Sequence, residues 1–173
     1  MFIKLIGGMI IILSSSLIGI LLANKYIIRI KILKTFRFSI QLLETEIVFT
    51  STPLPYAFNH ISSKIDKPWN AFFHEVSENL LKRNFFTMEE AWNSAMNNHL
   101  DLPFFKKSDI ELIKNFGKVL GKSDTEDQKK HFLLVYAQLD RHEEEAEIEK
   151  KKNVKMYKSL GLLLGIAIYI ILI

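Results

Sequence analysis

The chain has 173 residues, 49% hydrophobic and 24% charged, with seven Gly, four Pro, no Cys and a formal net charge of +4. The apolar content excludes a disordered chain, and the few Gly and Pro exclude a collagen-like or linker-dominated one. The lack of Cys excludes a disulfide scaffold, a thiolate zinc site, an iron–sulfur cluster and a cysteine nucleophile.

In chain order, Leu5 to Asn24 is an uncharged run of 20 residues, LIGGMIIILSSSLIGILLAN, about the length that crosses a hydrocarbon core as a helix. The alternative, a cleaved signal peptide, is disfavoured: MFIK holds one Lys, no A-x-A site follows, and the basic cluster comes after the apolar run. That cluster, Lys25, Arg29, Lys31, Lys34 and Arg37, opens a helix predicted over 25–50, about 37 Å long. Its apolar stripe is Ile28, Ile32, Phe36, Ile40, Leu43 and Ile47.

Helix punctuation then dominates. Thr52-Pro53 pairs an N-cap with Pro at the first helical position and starts a helix over 53–65; Asp66 and Pro68 start one over 68–84. Thr87…Glu90, Ser108…Glu111 and Ser123…Glu126 read as capping boxes for helices over 88–100, 108–120 and 124–158, and Gly121 as the stop for the second of these. Helical spacing recurs in Phe72, Val76, Leu80, in Trp92, Met96, Leu100 and in Ile110, Ile113, Leu120, while no window alternates with a period of two. The long last helix carries Phe132, Val135, Leu139 and Ala146 as the expected partner face for the first; its acidic run Glu143–Glu149 reads as a solvated face, with Glu147 and Lys151 as an i,i+4 pair.

A second basic cluster, Lys150, Lys151, Lys152, Lys155 and Lys158, precedes the uncharged Ser159–Ile173. Those 15 residues reach about 22 Å as a helix, short of a roughly 30 Å core; Met156 and Tyr157 lengthen the segment and Lys158 can snorkel. The competing reading is a core helix of a soluble domain, but nothing polar interrupts the run. The expected organisation is a span at 1–24, an all-α six-helix bundle at 25–158 and a C-terminal span at 159–173.

All 19 acidic residues lie between Glu44 and Glu149, so residues 38–149 carry −7 and the flanks +11. A nucleic-acid-binding domain would place basic residues on its folded face, so no nucleic-acid partner is expected. Two basic collars beside two spans put the bundle on the cytoplasmic side by the positive-inside rule. The ten collar residues are candidates for contact with anionic headgroups, at about 1 kcal/mol each. Gly161 and Gly165 form a GxxxG in the second span, and Ser15 with Gly19 a small-residue face in the first, which allows close helix pairing as well as self-association. If first and last helices rise side by side, residues 50–57 and 121–128 form the far tip. The apolar, Pro-rich turn Thr52, Pro53, Leu54, Pro55, Tyr56, with Ser123 and Asp124, is then the expected partner surface.

Chemistry is not legible. Only Gly117 and Gly121 lie outside the hydrophobic segments, too few for a phosphate loop or dinucleotide fingerprint; His60, His74, His99, His131 and His142 form no H-x-x-x-H pair; and no nucleophile elbow occurs. No enzyme activity, metal or cofactor is expected. A membrane-tethered sensor binding a ligand within the bundle is the rival reading, and an enclosed cavity with a buried polar cluster would favour it.

The blocks Leu43-Glu44-Thr45-Glu46-Ile47, Thr52-Pro53-Leu54-Pro55-Tyr56-Ala57, Ala91-Trp92, Phe116 through Asp124, Gln128, His131 and Lys155 through Gly161 resemble, in order and over essentially the whole chain, the stage III sporulation protein AB family of endospore-forming bacteria. The resemblance implies a mother-cell membrane protein of the channel, or feeding-tube, apparatus. It also implies a soluble part similar to the cytoplasmic domain of type II secretion platform proteins, with the apparatus ATPase and other membrane subunits as partners. It supplies no catalytic residue.

Overall fold

A computed structural model of the chain describes residues 2–82, 87–122 and 125–172. Among them are six α-helices, one π turn and no strand: α1 (Phe2–Glu44), the π turn (Thr45–Phe49), α2 (Leu54–Ser62), α3 (Trp69–Leu81), α4 (Met88–His99), α5 (Lys107–Val119) and α6 (Thr125–Leu172). The all-α fold read from the sequence is the one observed. The chain divides into two compact units, one of residues 1–30 with 144–173 and one of residues 31–143. These limits differ from those read from charge, because α1 and α6 run unbroken through the collars and residues 25–30 and 144–158 pack with each other.

In the first unit α1 and α6 form an antiparallel hairpin. Both helices are long and apolar enough to cross a membrane, and in their most apolar windows only 17% and 11% of residues are buried.

The second unit is a helical bundle around an aromatic core. Phe36 stacks on Trp69 with centroids 4.5 Å apart, Phe72 meets Trp92 edge-on at 4.8 Å, and Phe116 links to Phe132 at 5.6 Å. Both indoles are buried with their N–H groups satisfied, Trp69 donating to Ile32 O at 2.9 Å and Trp92 to Ile113 O at 3.1 Å, as burial of a polar handle requires. A Cβ on Gly117 would collide with the Trp92 indole, so α5 crosses α4 at a distance only glycine permits.

Local chemistry explains most helix limits. At α4 the Thr87–Glu90 capping box forms as expected, with both reciprocal bonds at 3.1 Å. At α5 the box shifts two residues from the expected Ser108–Glu111: Lys106 is the cap, and the Asp109 carboxylate accepts from its backbone N–H at 2.9 Å. Thr52 does not cap α2. Pro53 occupies that position, while the Thr52 hydroxyl donates to Glu46 Oε2 at 2.8 Å. The box at Ser123 lies outside the described residues. Gly121 ends the α5 connection at φ +76°, a left-handed conformation that costs other residues about 1–2 kcal/mol.

Gly121→Ala is therefore expected to destabilise the full chain by about 1–2 kcal/mol and Gly121→Asn by less, since Asn tolerates that region. Thermal unfolding in mild detergent measures both; equal stability of wild type and Gly121→Ala would contradict the assignment.

Candidate functional site

The expected partner surface is built where α1 ends. Its last turn widens because Thr45 O accepts from both the backbone N–H of Thr50 at 3.2 Å and the Thr50 hydroxyl at 3.0 Å. The chain then reverses through Ser51, at φ +53°, and is clamped by two bonds to Glu46, from the backbone N–H and the hydroxyl of Thr52, each 2.8 Å. Pro53 O receives the first N–H groups of α2, and Pro55 O accepts from the buried Ser77 hydroxyl at 2.7 Å, fixing α2 to α3.

On this frame Pro53 is exposed, Leu54 and Pro55 are half-buried, and Tyr56 is 53% exposed. Leu54 reaches Gly121, where an added Cβ would come within 2.7 Å of its Cδ1. Leu54 of the expected segment 50–57 thus lies against Gly121 of the expected segment 121–128; Ser123 and Asp124 lie outside the described residues. Phe49, 79% exposed beside the turn, was not anticipated, because the sequence there reads as continuous helix. Lys122 pairs with Glu89 at 3.0 Å, and that hydrogen bond holds the Glu89 carboxyl below its usual range.

The collars separate by side-chain type. Arg29 is only 3% exposed and reaches Glu149 at 2.8 Å and Glu145 at 3.6 Å. Arg37 pairs with Asp140 and, at 2.7 Å, with Glu143. Partial burial alone would lower the Arg37 pKa, but these two carboxylates outweigh it and raise it. Both arginines therefore hold α6 rather than face outward, which corrects the headgroup-contact reading for them. Much of the α6 acidic run faces α1 rather than being a solvated face. Lys150 pairs with Glu147 at 3.1 Å, in place of the expected Glu147–Lys151 pair. Lys25 lies over the Tyr26 and Tyr157 rings at 5.0 and 5.9 Å. Lys31, Lys34, Lys151, Lys152, Lys155 and Lys158 are exposed.

In the hairpin unit the small residues lie at the helix crossing. The Ser15 hydroxyl donates to Gly161 O at 2.6 Å. A Cβ on Gly161 would approach Gly19 Cα to 3.0 Å, and one on Gly165 would lie 3.2 Å from Ser15 Cβ. The GxxxG face is thus occupied within the chain.

Elsewhere, Tyr136 donates to Glu44 Oε2 at 2.7 Å, and burial together with that carboxylate pushes its pKa up. Asp109, fully buried, lies 2.7 Å from His142 Nδ1, a polar core contact hidden in what the sequence presents as a capping box. No group of three or more His, Cys, Asp or Glu among the described residues could hold a metal ion. A groove of about 160 Å³ between α5 and α6, lined by Leu112, Phe116, Val119, Leu134 and Val135 among others, is open and mostly apolar. It is not the enclosed polar cavity that ligand sensing calls for.

The sequence profile of the family described as stage III sporulation protein AB (spore_III_AB) matches residues 4–173. Stage III sporulation protein AB of Bacillus subtilis (strain 168) is 33% identical over 169 residues, covering 98% of each chain. A solved structure of a stage III sporulation protein AB is similar with a TM-score of 0.67 at 30% identity, covering 72% of this chain and 98% of that one.

Two outcomes follow from the geometry. In the cysteine-free background, Ser15→Cys with Gly165→Cys is expected to form an intrachain disulfide on mild oxidation, since the Cβ separation is near the required ~3.5–4.5 Å; adding Gly161→Leu should abolish it, and non-reducing electrophoresis reads both. Tyr136→Phe is expected to cost about 1.5 kcal/mol at neutral pH. Because the folded tyrosine titrates above its unfolded value, its contribution is complete below pH ~10 and is lost as pH rises further. Unfolding curves of the two forms should therefore converge in strong alkali.

Proposed function

Because the chain belongs to the stage III sporulation protein AB family, we propose that it serves the sporulation apparatus as a non-enzymatic platform subunit. It is anchored in the mother-cell membrane by two spans and presents its bundle to the cytosol. Membership gives the role in the sporulation apparatus. The anchoring is supported by two helices with the length and apolarity of membrane spans. The cytosolic side is supported by the lysine and arginine excess next to both, which acts on topology whether or not the side chains are later paired.

The observation that carries docking is the pair of exposed aromatics, Phe49 and Tyr56, on a turn held by the Glu46–Thr52 clamp. Exposed aromatic residues on a pre-ordered backbone lose little freedom on binding, and such residues dominate interface energetics. The cytosolic ATPase of the apparatus is the partner we assign to this surface, with the other membrane subunits reached through the outward faces of the spans.

A photo-crosslinker placed at Phe49 or Tyr56 in sporulating cells should capture that ATPase. Phe49→Asp combined with Tyr56→Asp should weaken recruitment at least about ten-fold and block sporulation, with unchanged thermal unfolding because both side chains are exposed. Wild-type recruitment and sporulation by the double variant would overturn the docking assignment. Leu54→Asp is a less clean test, since Leu54 is half-buried against Gly121.

A further inference from the structure

We propose that the cleft between α1 and the turn after α2, lined by Lys34, Thr35, Phe38, Lys64, Ile65 and Asp66, binds a phosphate-bearing anion. Its volume is about 330 Å³, and it opens to solvent. Two lysines line it from positions 30 residues apart in sequence. Neither makes an ion pair among the described residues, whereas Arg29, Arg37 and Lys150 all do.

The fold places the backbone of both lysines at the cleft. Lys34 projects from α1, with Lys31 one turn earlier on the same face. Lys64 sits just beyond the C-terminus of α2, where its backbone N–H bonds to Ile61 O at 2.9 Å and where a cation is favoured by the helix dipole. Asp66, the carboxylate in the lining, lies in the turn ahead of α3 and forms no ion pair with either lysine among the described residues. Lysine binds phosphate as a point charge without demanding a fixed fork. Phe38, 48% exposed, and Ile65 add an apolar wall, so the cleft suits a phosphate that carries an apolar substituent.

Two sources share this chemistry, an anionic lipid headgroup and free phosphate. The lipid source rests on the membrane reading above; the anion site itself does not. The full chain in neutral micelles tests it without reference to topology or ATPase docking. Native mass spectrometry of micelles doped with phosphatidylglycerol should show one retained lipid. Lys64→Gln should weaken retention about five-fold and Lys34→Gln with Lys64→Gln about thirty-fold, while Lys107→Gln with Lys114→Gln, exposed on α5 and outside both collars, leaves it unchanged. Competition by millimolar inorganic phosphate assigns the free anion; retention despite it assigns the headgroup. The proposal is overturned if Lys64→Gln retains lipid like wild type, if the Lys107/Lys114 variant loses it equally, or if neither probe binds.

Discussion

A Cβ on Gly19 would sit 2.5 Å from Tyr157 O, so the backbones of α1 and α6 meet there with no side chain between them. In the membrane setting proposed above this closeness is the attraction: lipid tails offer apolar surface as good as leucine, and helices associate through van der Waals contact and hydrogen bonds such as Ser15 to Gly161 O. Within residues 31–143 the same two helices pair by different means, with Phe36, Ile40 and Leu43 buried from α1 and Phe132, Val135 and Leu139 from α6. There water supplies the drive, at about 25 cal/mol per Å² removed, and the Arg37 pairs and the Tyr136–Glu44 bond fix the register. All other helices are threaded between these two, so their pairing sets where the chain leaves and returns.

Between them, α2 to α5 form one connected aromatic core rather than independent contacts. Trp69 touches Phe36, Phe72, Phe73 and Phe105, and Trp92 touches Phe58, Phe72, Phe73 and Phe116. Large rings at fixed separations leave little slack, and this rigidity is transmitted outward. Phe58 on α2 stacks on Phe73, so the start of α2, with Pro53 and Tyr56, cannot drift relative to α3. The exposed turn is a surface feature standing on a stiff base, which is what an interface of modest size needs.

The six helices were legible because their ends carry chemistry: the Thr87 box and Gly121 act through bonds and backbone angles local to a few residues. The faces were legible where every stripe position is apolar. Extending the α6 stripe of Val135, Leu139 and Ala146 by one further step lands on Glu149, and Arg29 stands one turn before Leu33 on α1. A carboxylate and a guanidinium on buried stripes of two pairing helices are an ion pair visible in the periodicity, hidden only by reading the acidic run as solvated. Phe49 and Lys64 were not legible. The exposure of one depends on the π turn, and the other lines a cleft with Lys34, 30 residues away in sequence, that only the tertiary fold creates.

The division within the collars has a physical basis. A guanidinium is weakly hydrated and offers several donors in a fixed plane, so it tolerates burial beside two carboxylates, as Arg29 and Arg37 do. An ammonium is compact and strongly hydrated, and it remains effective at the end of a flexible stem facing water or headgroups. The two arginines are therefore part of the helix pairing, and the exposed lysines remain available to an external anion. Replacing Lys34 or Lys64 alters charge at a surface, while replacing Arg29 removes a nearly buried cation from beside Glu145 and Glu149. Net charge counted along the sequence merges these two populations; the structure separates them by which helix face each occupies.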